Sequence, residues 1–404
     1  MNLLLISIDS LRLDCVPRFN RLLDIGADAP LPRRPETPRF ARATAGYGFH
    51  SGCFSVSTAT RPVHTSLFSG LYPFEHGVTG MQVPKERPGL EPLFGLMDAA
   101  GYRLTAHSET PAVFSGLDWA RPVGPWSRTL DRDLHGLVSR GPDRQCLFLH
   151  YWATHAPYGA ADGLATGTTL NLLRQGRVAE VQAAYLAAVE GLLERRLAPL
   201  LESLDPARWT VFIFGDHGET WDGREYYHGQ TLRNATLRVP LYFHVPPGHN
   251  PDVPRPVVSL MDLYPTLIRL FDLPASYRGY AADLWAHGAR HPPLAELEPT
   301  PHLDDLAPGA DNRLLASSGT LGPQWALLKP TQRYTRFCAR DEGLLQETFS
   351  EAPLPLEAET SAAYVGSYEG MVAGSAYGKA GTRAVEAEET EALERRLRDL
   401  GYLA

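Results

Sequence analysis

The 404-residue chain has little cysteine: Cys15, Cys53, Cys146 and Cys338 are scattered, and no two form a CxxC pair. Thiols spread so thinly cannot staple a chain of this length, which excludes a disulfide scaffold and points to a reducing compartment. Long apolar runs are missing too, since no stretch reaches the roughly 18 consecutive apolar residues that a membrane span needs. Residues 2–8 (NLLLISI) are apolar from the second position, with neither a basic leader nor a small-residue cleavage site. A secretory signal is therefore not expected, and a soluble cytoplasmic protein is. Nor is there an excess of positive charge: 38 Lys and Arg against 46 Asp and Glu give a formal charge of −8. That argues against a broad nucleic-acid surface but leaves room for a local basic pocket. No internal repeat is present.

What remains is ordinary globular material. Apolar residues at 44% and charged residues at 21% rule out a disordered or collagen-like chain. At roughly 150 residues per domain, two or three units or one large one are expected. Short apolar runs alternate with longer helical patterns, the signature of an α/β fold with a mostly parallel central sheet and helices on both faces. The runs 2–8, 102–107 (YRLTAH), 145–152 (QCLFLHYW), 209–215 (WTVFIFG) and 239–245 (VPLYFHV) read as strands covered on both sides. Val181, Tyr185, Ala188 and Leu192 stand at helical spacing within 180–198, and Pro199 is expected to kink or end that helix. A second helix is expected to start near Pro62 and a third to cover about 260–271. Proline-rich stretches at 29–38 and 246–256 mark connections. A looser acidic passage from about 290 to 312 divides a larger α/β domain, 1–289, from a smaller C-terminal subdomain, 290–404, packed on it. There, Trp325, Leu327 and Leu328 form an apolar stretch, and a charged terminal helix is expected near 384–399.

Three segments carry residues suited to chemistry at the sheet edge where open α/β folds present their ligands. Asp9 follows the first strand directly, where a carboxylate can bind a hard cation or simply cap a turn. Asp216-His217-Gly218-Glu219 follows the VFIFG strand. It offers an oxygen and an imidazole ligand, with a glycine that lets the backbone turn beneath them. Taken alone, the triplet is weak. Thr60 stands two residues before Pro62, a residue suited to a first helical turn. Its hydroxyl would sit at a helix N-terminus, which stabilises anions, or would serve only as an N-cap.

In combination and in order, these segments resemble the sulfatase-like branch of the alkaline phosphatase superfamily. The likeness runs through LLLISIDSLRLD at 3–14, TRPVHTSLFSGLYPFEHGV at 60–78, AAGYRLTA at 99–106, HYWATHAPY at 150–158 and TVFIFGDHGET at 210–220. It continues with LRVPLYF at 237–243, MDLYPTLIRLFDLP at 261–274 and LRDLGYLA at the terminus. The resemblance implies a divalent ion held by Asp9, Asp216 and His217, with Thr60 as nucleophile against the same ion. The family's nucleophile stands ten residues before a glycine turn, which here places it at Thr60 before Gly70; Thr58 and Ser57 are nearby alternatives. His155, in the family's HxPY position, and His228 are implied as contacts to the substrate anion or its leaving group. Arg61, Arg12 and His64 are candidate substrate contacts, the arginines because guanidinium can grip two phosphoryl oxygens.

The departures from the sulfatase pattern matter as much. Sulfatases of this branch start their motif with a Cys or Ser converted to formylglycine, followed four residues on by Arg; here Thr60 and His64 hold those positions. The threonine β-carbon carries a methyl group, so no formylglycine can form, and direct attack by the threonine oxygen is what remains. Thr-dependent members of the superfamily mostly work on phosphorus, which favours a hydrolase of phosphate monoesters, diesters or phosphonate esters. A sulfatase working without formylglycine, a soluble phosphotransferase and a non-enzymatic scaffold are the rivals. Ser10 replaces the second of two tandem acids, and Tyr151 stands where the two-zinc branch has Asp. One metal site is therefore expected, and a second from His155, His228 and an acid such as Glu109 has weaker support. Mixed carboxylate, hydroxyl and imidazole ligation suits Mn²⁺ or Zn²⁺ ahead of Mg²⁺ or Ca²⁺. The expected partner is a small-molecule phosphate ester, with homo-oligomerisation left open.

Overall fold

The structure is a computed structural model that describes residues 1–19, 31–81, 86–123, 134–159, 168–221, 226–229, 232–247, 255–286, 293–297, 324–328, 332–337, 344–348, 354–355 and 357–380. Nine strands precede residue 260: β1 (Asn2–Ile8), β2 (Gly48–Phe54), β3 (Arg103–Ser108), β4 (Gln145–Tyr151), β5 (Trp209–Gly215), β6 (Thr220–Trp221), β7 (Tyr226–Tyr227), β8 (Arg238–His244) and β9 (Val258–Ser259). Seven of them form one sheet in the order β3-β4-β1-β5-β8-β2-β9, while β6 and β7 make a small ribbon. Within the sheet, β3, β4, β1 and β5 are parallel, and β8 pairs antiparallel with both β5 and β2. β9 runs parallel to β2, so β8 is the reversed strand.

β1, β4 and β5 lie at the centre because every residue in them is buried. Side chains alternate between the two faces of a strand, so each strand feeds two cores. Leu3, Leu5, Phe148, Phe212 and Phe214 join one core with Val63, Leu67 and Phe68 of the helix Thr60–Ser69 and with Leu267 of the helix Leu263–Phe271. Leu4, Ile6, Ile8, Leu147, Leu149, Val211 and Ile213 join the other, against Val181, Tyr185, Val189, Leu193 and Leu197. Each such fully buried aliphatic side chain contributes roughly 1.5–3 kcal/mol relative to an exposed one. The expected layers are thus present.

The sequence leaves two details open. Strand β2 (GFHSGCF) carries no continuous apolar run and is only partly buried, so it gives a weak sequence signal. And of the two outcomes expected at Pro199, a kink or an end, the helix does not end: residues Val178–Glu190 are α-helical, Gly191–Leu197 form a π segment, and Ala198–Glu202 continue as α-helix. Pro199 is the second residue of that last piece and follows the π segment directly.

The C-terminal elements are a five-stranded antiparallel sheet and a helix, Ala358–Gly374. Its strands run in order as β10 (Leu294–Leu297), β11 (Gln324–Leu328), β12 (Gln332–Phe337), β13 (Leu344–Thr348) and β14 (Leu354–Pro355). Leu294, Ala295, Leu297, Trp325 and Leu327 enter the first core, and Trp325 stacks on Tyr368 at 4.6 Å. The helix expected at 384–399 and Cys338 lie outside the described residues; Cys15, Cys53 and Cys146 are free and buried.

Candidate active site

Strand register builds the site. Ile8 pairs with Tyr151 on one side and Gly215 on the other, so Asp9 and Asp216 leave the sheet in one row. The Asp9 N–H bonds Tyr151 O at 2.9 Å and the Asp216 N–H bonds Ile8 O at 3.3 Å, extending the ladder by a residue. Ser10 then takes a left-handed backbone (φ 58°), a conformation held by its N–H on Asp216 Oδ1 (3.1 Å) and its carbonyl under the Tyr185 hydroxyl (2.8 Å). Gly218 lies so close to the segment above it that a Cβ would sit 2.0 Å from Ala235 O, so only glycine lets the Asp-His turn form there.

The helix Thr60–Ser69 begins at the same edge after an extended Ala59. Its first hydroxyl reaches the site: Thr60 Oγ1 is 3.2 Å from Asp9 Oδ2 and 3.4 Å from His217 Nε2. His217 Nε2 is in turn 3.9 Å from Asp9 Oδ1 and 3.7 Å from Asp216 Oδ2. Its Nδ1 is 3.0 Å from Gly218 O, to which it must donate, which leaves the Nε2 lone pair facing the acids. Segments distant in the chain thus converge on a common point.

Two buried acids side by side need compensation. Burial pushes the Asp9 carboxyl up, but His150, His155 and His217 outweigh it and hold the group well below the usual range. Burial and the neighbouring Asp9 charge drive Asp216 the other way, well above it. Among the described residues, Asp216 Oδ2 has no hydrogen-bond partner, although it is fully buried. Asp9, Asp216 and His217 each present a ligand atom within 4.8 Å of the others. Two carboxylates, one of them with an orphaned buried oxygen, and an imidazole form a donor set that fits a divalent cation.

A second group of side chains flanks this point. His228 Nδ1 is 3.0 Å from Glu219 Oε1, and Glu219 Oε2 accepts from the Tyr158 hydroxyl at 3.1 Å. Burial pushes the Glu219 carboxyl up to about 8. The His228 ring packs on His217 at 4.2 Å and edge-on to His155 at 4.9 Å, while His155 stacks on Trp152 at 3.7 Å. Both histidines expected beside the substrate therefore sit together at the rim of the acid cluster.

The other expected contacts are turned elsewhere. Arg12 is buried, gripping Asp14 through Nη2 (2.7 Å) and Nε (2.9 Å) and donating to Glu219 O (2.8 Å). His64 sits beneath Thr60 with its Nδ1 on Thr60 O (2.8 Å) and its Nε2 on Ser7 Oγ (2.9 Å), so its ring braces the helix start. Arg61 donates to the carbonyls of Val113 and Ser115, both at 3.0 Å. Glu109 accepts from the N–H groups of Trp152 and Ala153 and pairs with Arg196 at 2.5 Å, so it builds the loop after β4. The acid beside His155 and His228 is Glu219. Sequence reasoning also passed over His150, whose Nε2 is 3.5 Å from Asp9 Oδ2; its place two residues before Trp152 on a buried strand gave it the look of core.

A sequence profile of the sulfatase family matches residues 1–273. The chain belongs to the sulfatase family. It is a sulfatase-like hydrolase, and the family generally uses a divalent metal, for which this site has suitable ligands. The phosphonate monoester hydrolase of Agrobacterium radiobacter superposes with a TM-score of 0.60 at 15% identity, covering 92% of this chain and 95% of its own. A 2-O GAG sulfatase gives 0.63 at 12% identity, covering 100% of this chain and 94% of that one. The lipoteichoic acid synthase LtaP of Listeria monocytogenes gives 0.51 at 11% identity, covering 92% and 90%. At such identities these similarities concern the fold. No curated relative matches the sequence. Among the described residues, no helix of this sulfatase-family chain is long and apolar enough to cross a membrane.

Proposed function

We propose that this protein is a metal-dependent hydrolase of small phosphate esters (monoesters, diesters or phosphonate esters) with Thr60 as its nucleophile. The observation that carries this is the place of Thr60 Oγ1, 3.2 Å from Asp9 and 3.4 Å from His217 at the start of a helix. Threonine cannot yield formylglycine, so the sulfate-ester chemistry that depends on that group is closed to it. The resemblance to Thr-dependent phosphoryl-transfer members supports phosphorus instead, as does the name of the Agrobacterium neighbour.

Asp9, Asp216, His217 and Thr60 would hold the ion. When bound, it supplies positive charge that favours the ionised Thr60 hydroxyl and offsets charge on a phosphoryl oxygen. The Thr60 Oγ1–phosphorus bond forms as the bond to the leaving oxygen breaks, and the hydroxyl proton departs to solvent. The transferred group then lies at a helix N-terminus, whose first-turn N–H groups lack intrahelical acceptors and favour an anion. Burial keeps the His228 and His155 rings neutral, so the proton for the leaving oxygen comes from the Glu219 carboxyl. It is relayed through His228 as Nδ1 takes it up and Nε2 gives one out, with His155 as a flanking contact. Water cleaves the threonine ester, returning the hydroxyl and releasing phosphate from a monoester, a phosphate monoester from a diester or a phosphonate from a phosphonate ester.

Initial rates on aryl phosphate, phosphate diester, phosphonate ester and aryl sulfate, in Mn²⁺- or Zn²⁺-supplemented buffer, test this. A phosphorus ester should be the fastest substrate, with Thr60→Ala down by about 10³-fold or more. Full activity in that variant would remove Thr60 as nucleophile, and sulfate turning over fastest would overturn the substrate class.

A further inference from the structure

We propose that His150 is a ligand of the same divalent ion, so that the centre holds two imidazoles, His150 and His217. This rests on the metal-centre assignment of Asp9, Asp216, His217 and Thr60 made above.

His150 is the penultimate residue of β4 and is fully buried. Its Nδ1 is fixed by Ser108 Oγ at 2.9 Å on the adjacent strand β3. That bond aims Nε2 toward the acids, 3.5 Å from Asp9 Oδ2, which is beyond a good hydrogen bond. Among the described residues, His150 Nε2 has no hydrogen-bond partner, and Asp216 Oδ2 is orphaned in the same way. Each unmade bond to a buried polar atom costs roughly 1–3 kcal/mol, more for a charged group. One cation between them satisfies both.

The neighbouring histidine does not compete for that place. His64, His150 and Asp216 bring ligand atoms within 4.8 Å of one another. But both His64 nitrogens are taken, by Thr60 O at 2.8 Å and Ser7 Oγ at 2.9 Å. Donor pairs around the centre are short: His150 to Asp9 3.5 Å, Thr60 to Asp9 3.2 Å and His217 to Asp216 3.7 Å, with Asp216 shared between the group that holds His150 and the group that holds Asp9 and His217, each within 4.8 Å. Ligands about 2.1 Å from one five-coordinate ion lie roughly 3.0–4.2 Å apart.

His150 thereby fills a gap in the ligand count. Ser10 stands where a second tandem acid would be, and its hydroxyl turns to Asp9 Oδ1 at 2.9 Å rather than into the centre. The replacement donor comes from the adjoining strand instead, and it is nitrogen. Two imidazoles beside two carboxylates move the preference further toward Zn²⁺ or Mn²⁺ and away from Ca²⁺. Ser108 becomes the group that orients this ligand.

The test is X-ray absorption spectroscopy of the Zn²⁺-loaded full chain, with calorimetric titration of Zn²⁺ into metal-free protein. One zinc per chain with two imidazoles is expected, falling to one imidazole in His150→Gln with affinity down more than tenfold. Ser108→Ala should retain the fold and lose about 10- to 100-fold in affinity. One imidazole in the wild type overturns the proposal while leaving the centre itself intact. So does a second zinc carried by His150, or unchanged affinity in both variants. If the wild type takes up no zinc or manganese, the centre and the proposal fall together. The wild-type spectrum and Ser108→Ala still decide the question if His150→Gln does not fold.

Discussion

Side chain by side chain, this site is an arrangement of groups that oppose folding until something joins them. Asp216 Oδ1 accepts from the N–H groups of Ser10 (3.1 Å) and His217 (2.7 Å), bonds an asparagine oxygen would keep. Its Oδ2 is the buried, unpartnered atom beside Asp9. Asp216→Asn should therefore abolish metal uptake yet melt at a higher temperature than metal-free wild type at pH 8, by roughly 1 °C for each kcal/mol relieved. Metal analysis paired with calorimetry on chelated samples checks both halves, and equal melting of the two metal-free proteins would count against the buried like-charge pair. The substitution at Thr60 removes the proposed nucleophile together with one donor to the ion, whereas this one separates stability from function. Of these residues, Asp9, Thr60, Asp216 and His217 were legible because each stands in an ordered motif. His150 and Glu219 were not, because a histidine inside an apolar strand and a glutamate after a metal-like triplet look the same in sequence whether they face a core or a site.

Elements position these groups through close backbone approach. The Asp216-His217 turn passes under the short helix Asn234–Leu237, with the Gly218 N–H on Thr236 O at 2.7 Å. A methyl group at Gly218 would lie 2.0 Å from Ala235 O, a backbone atom that cannot swing aside. Gly218→Ala should thus separate the turn from the helix and displace His217. Esterase activity is expected to fall by about 100-fold, the scale of a 1 Å misplacement of a reacting group. Circular dichroism should show the secondary structure retained. Near wild-type turnover would mean that the turn tolerates more slack than the packing allows. The boundaries of the five strands expected were readable to within a residue because buried strands need nearly continuous apolar runs, whereas the C-terminal sheet was not anticipated. The half-buried β2, the reversal of β8 and the passage of the helix through Pro199 were not, since none of them changes local hydrophobic periodicity.

Across the whole molecule, the C-terminal sheet is tied to the main core through a buried acid. Glu296 on β10 accepts from the Phe74 N–H at 2.9 Å and from the Tyr368 hydroxyl at 2.8 Å. Burial raises its carboxyl from 4.5 to about 7. Below pH 4.5 the group is protonated whether the chain is folded or not. Between there and about 7 the folded chain holds a proton that the unfolded chain releases, so stability falls as pH rises through that window. Glu296→Gln removes the penalty: it should raise stability at pH 8, on the order of 1–3 kcal/mol, and change little at pH 4. Denaturant titrations at the two pH values measure this, and a gain independent of pH would show that the carboxyl is not the cause. Other buried acids titrate nearby, Glu86 at about 7 among them, so the comparison is between variant and wild type at each pH.

The order of strands and motifs along the chain was enough to determine the layered α/β architecture, the sheet edge that carries the chemistry, and the acids, threonine and histidine that meet there. These follow from local pattern: apolar runs make buried strands, and strand ends deliver whatever residue comes next. Packing alone decided which polar atoms are used up and which are left. Arg12 closes on Asp14, His64 braces the backbone of Thr60, and His150 is left with a bare nitrogen over Asp9. Such outcomes hang on distances of a few tenths of an ångström between segments far apart in the chain, and only the folded core fixes those distances.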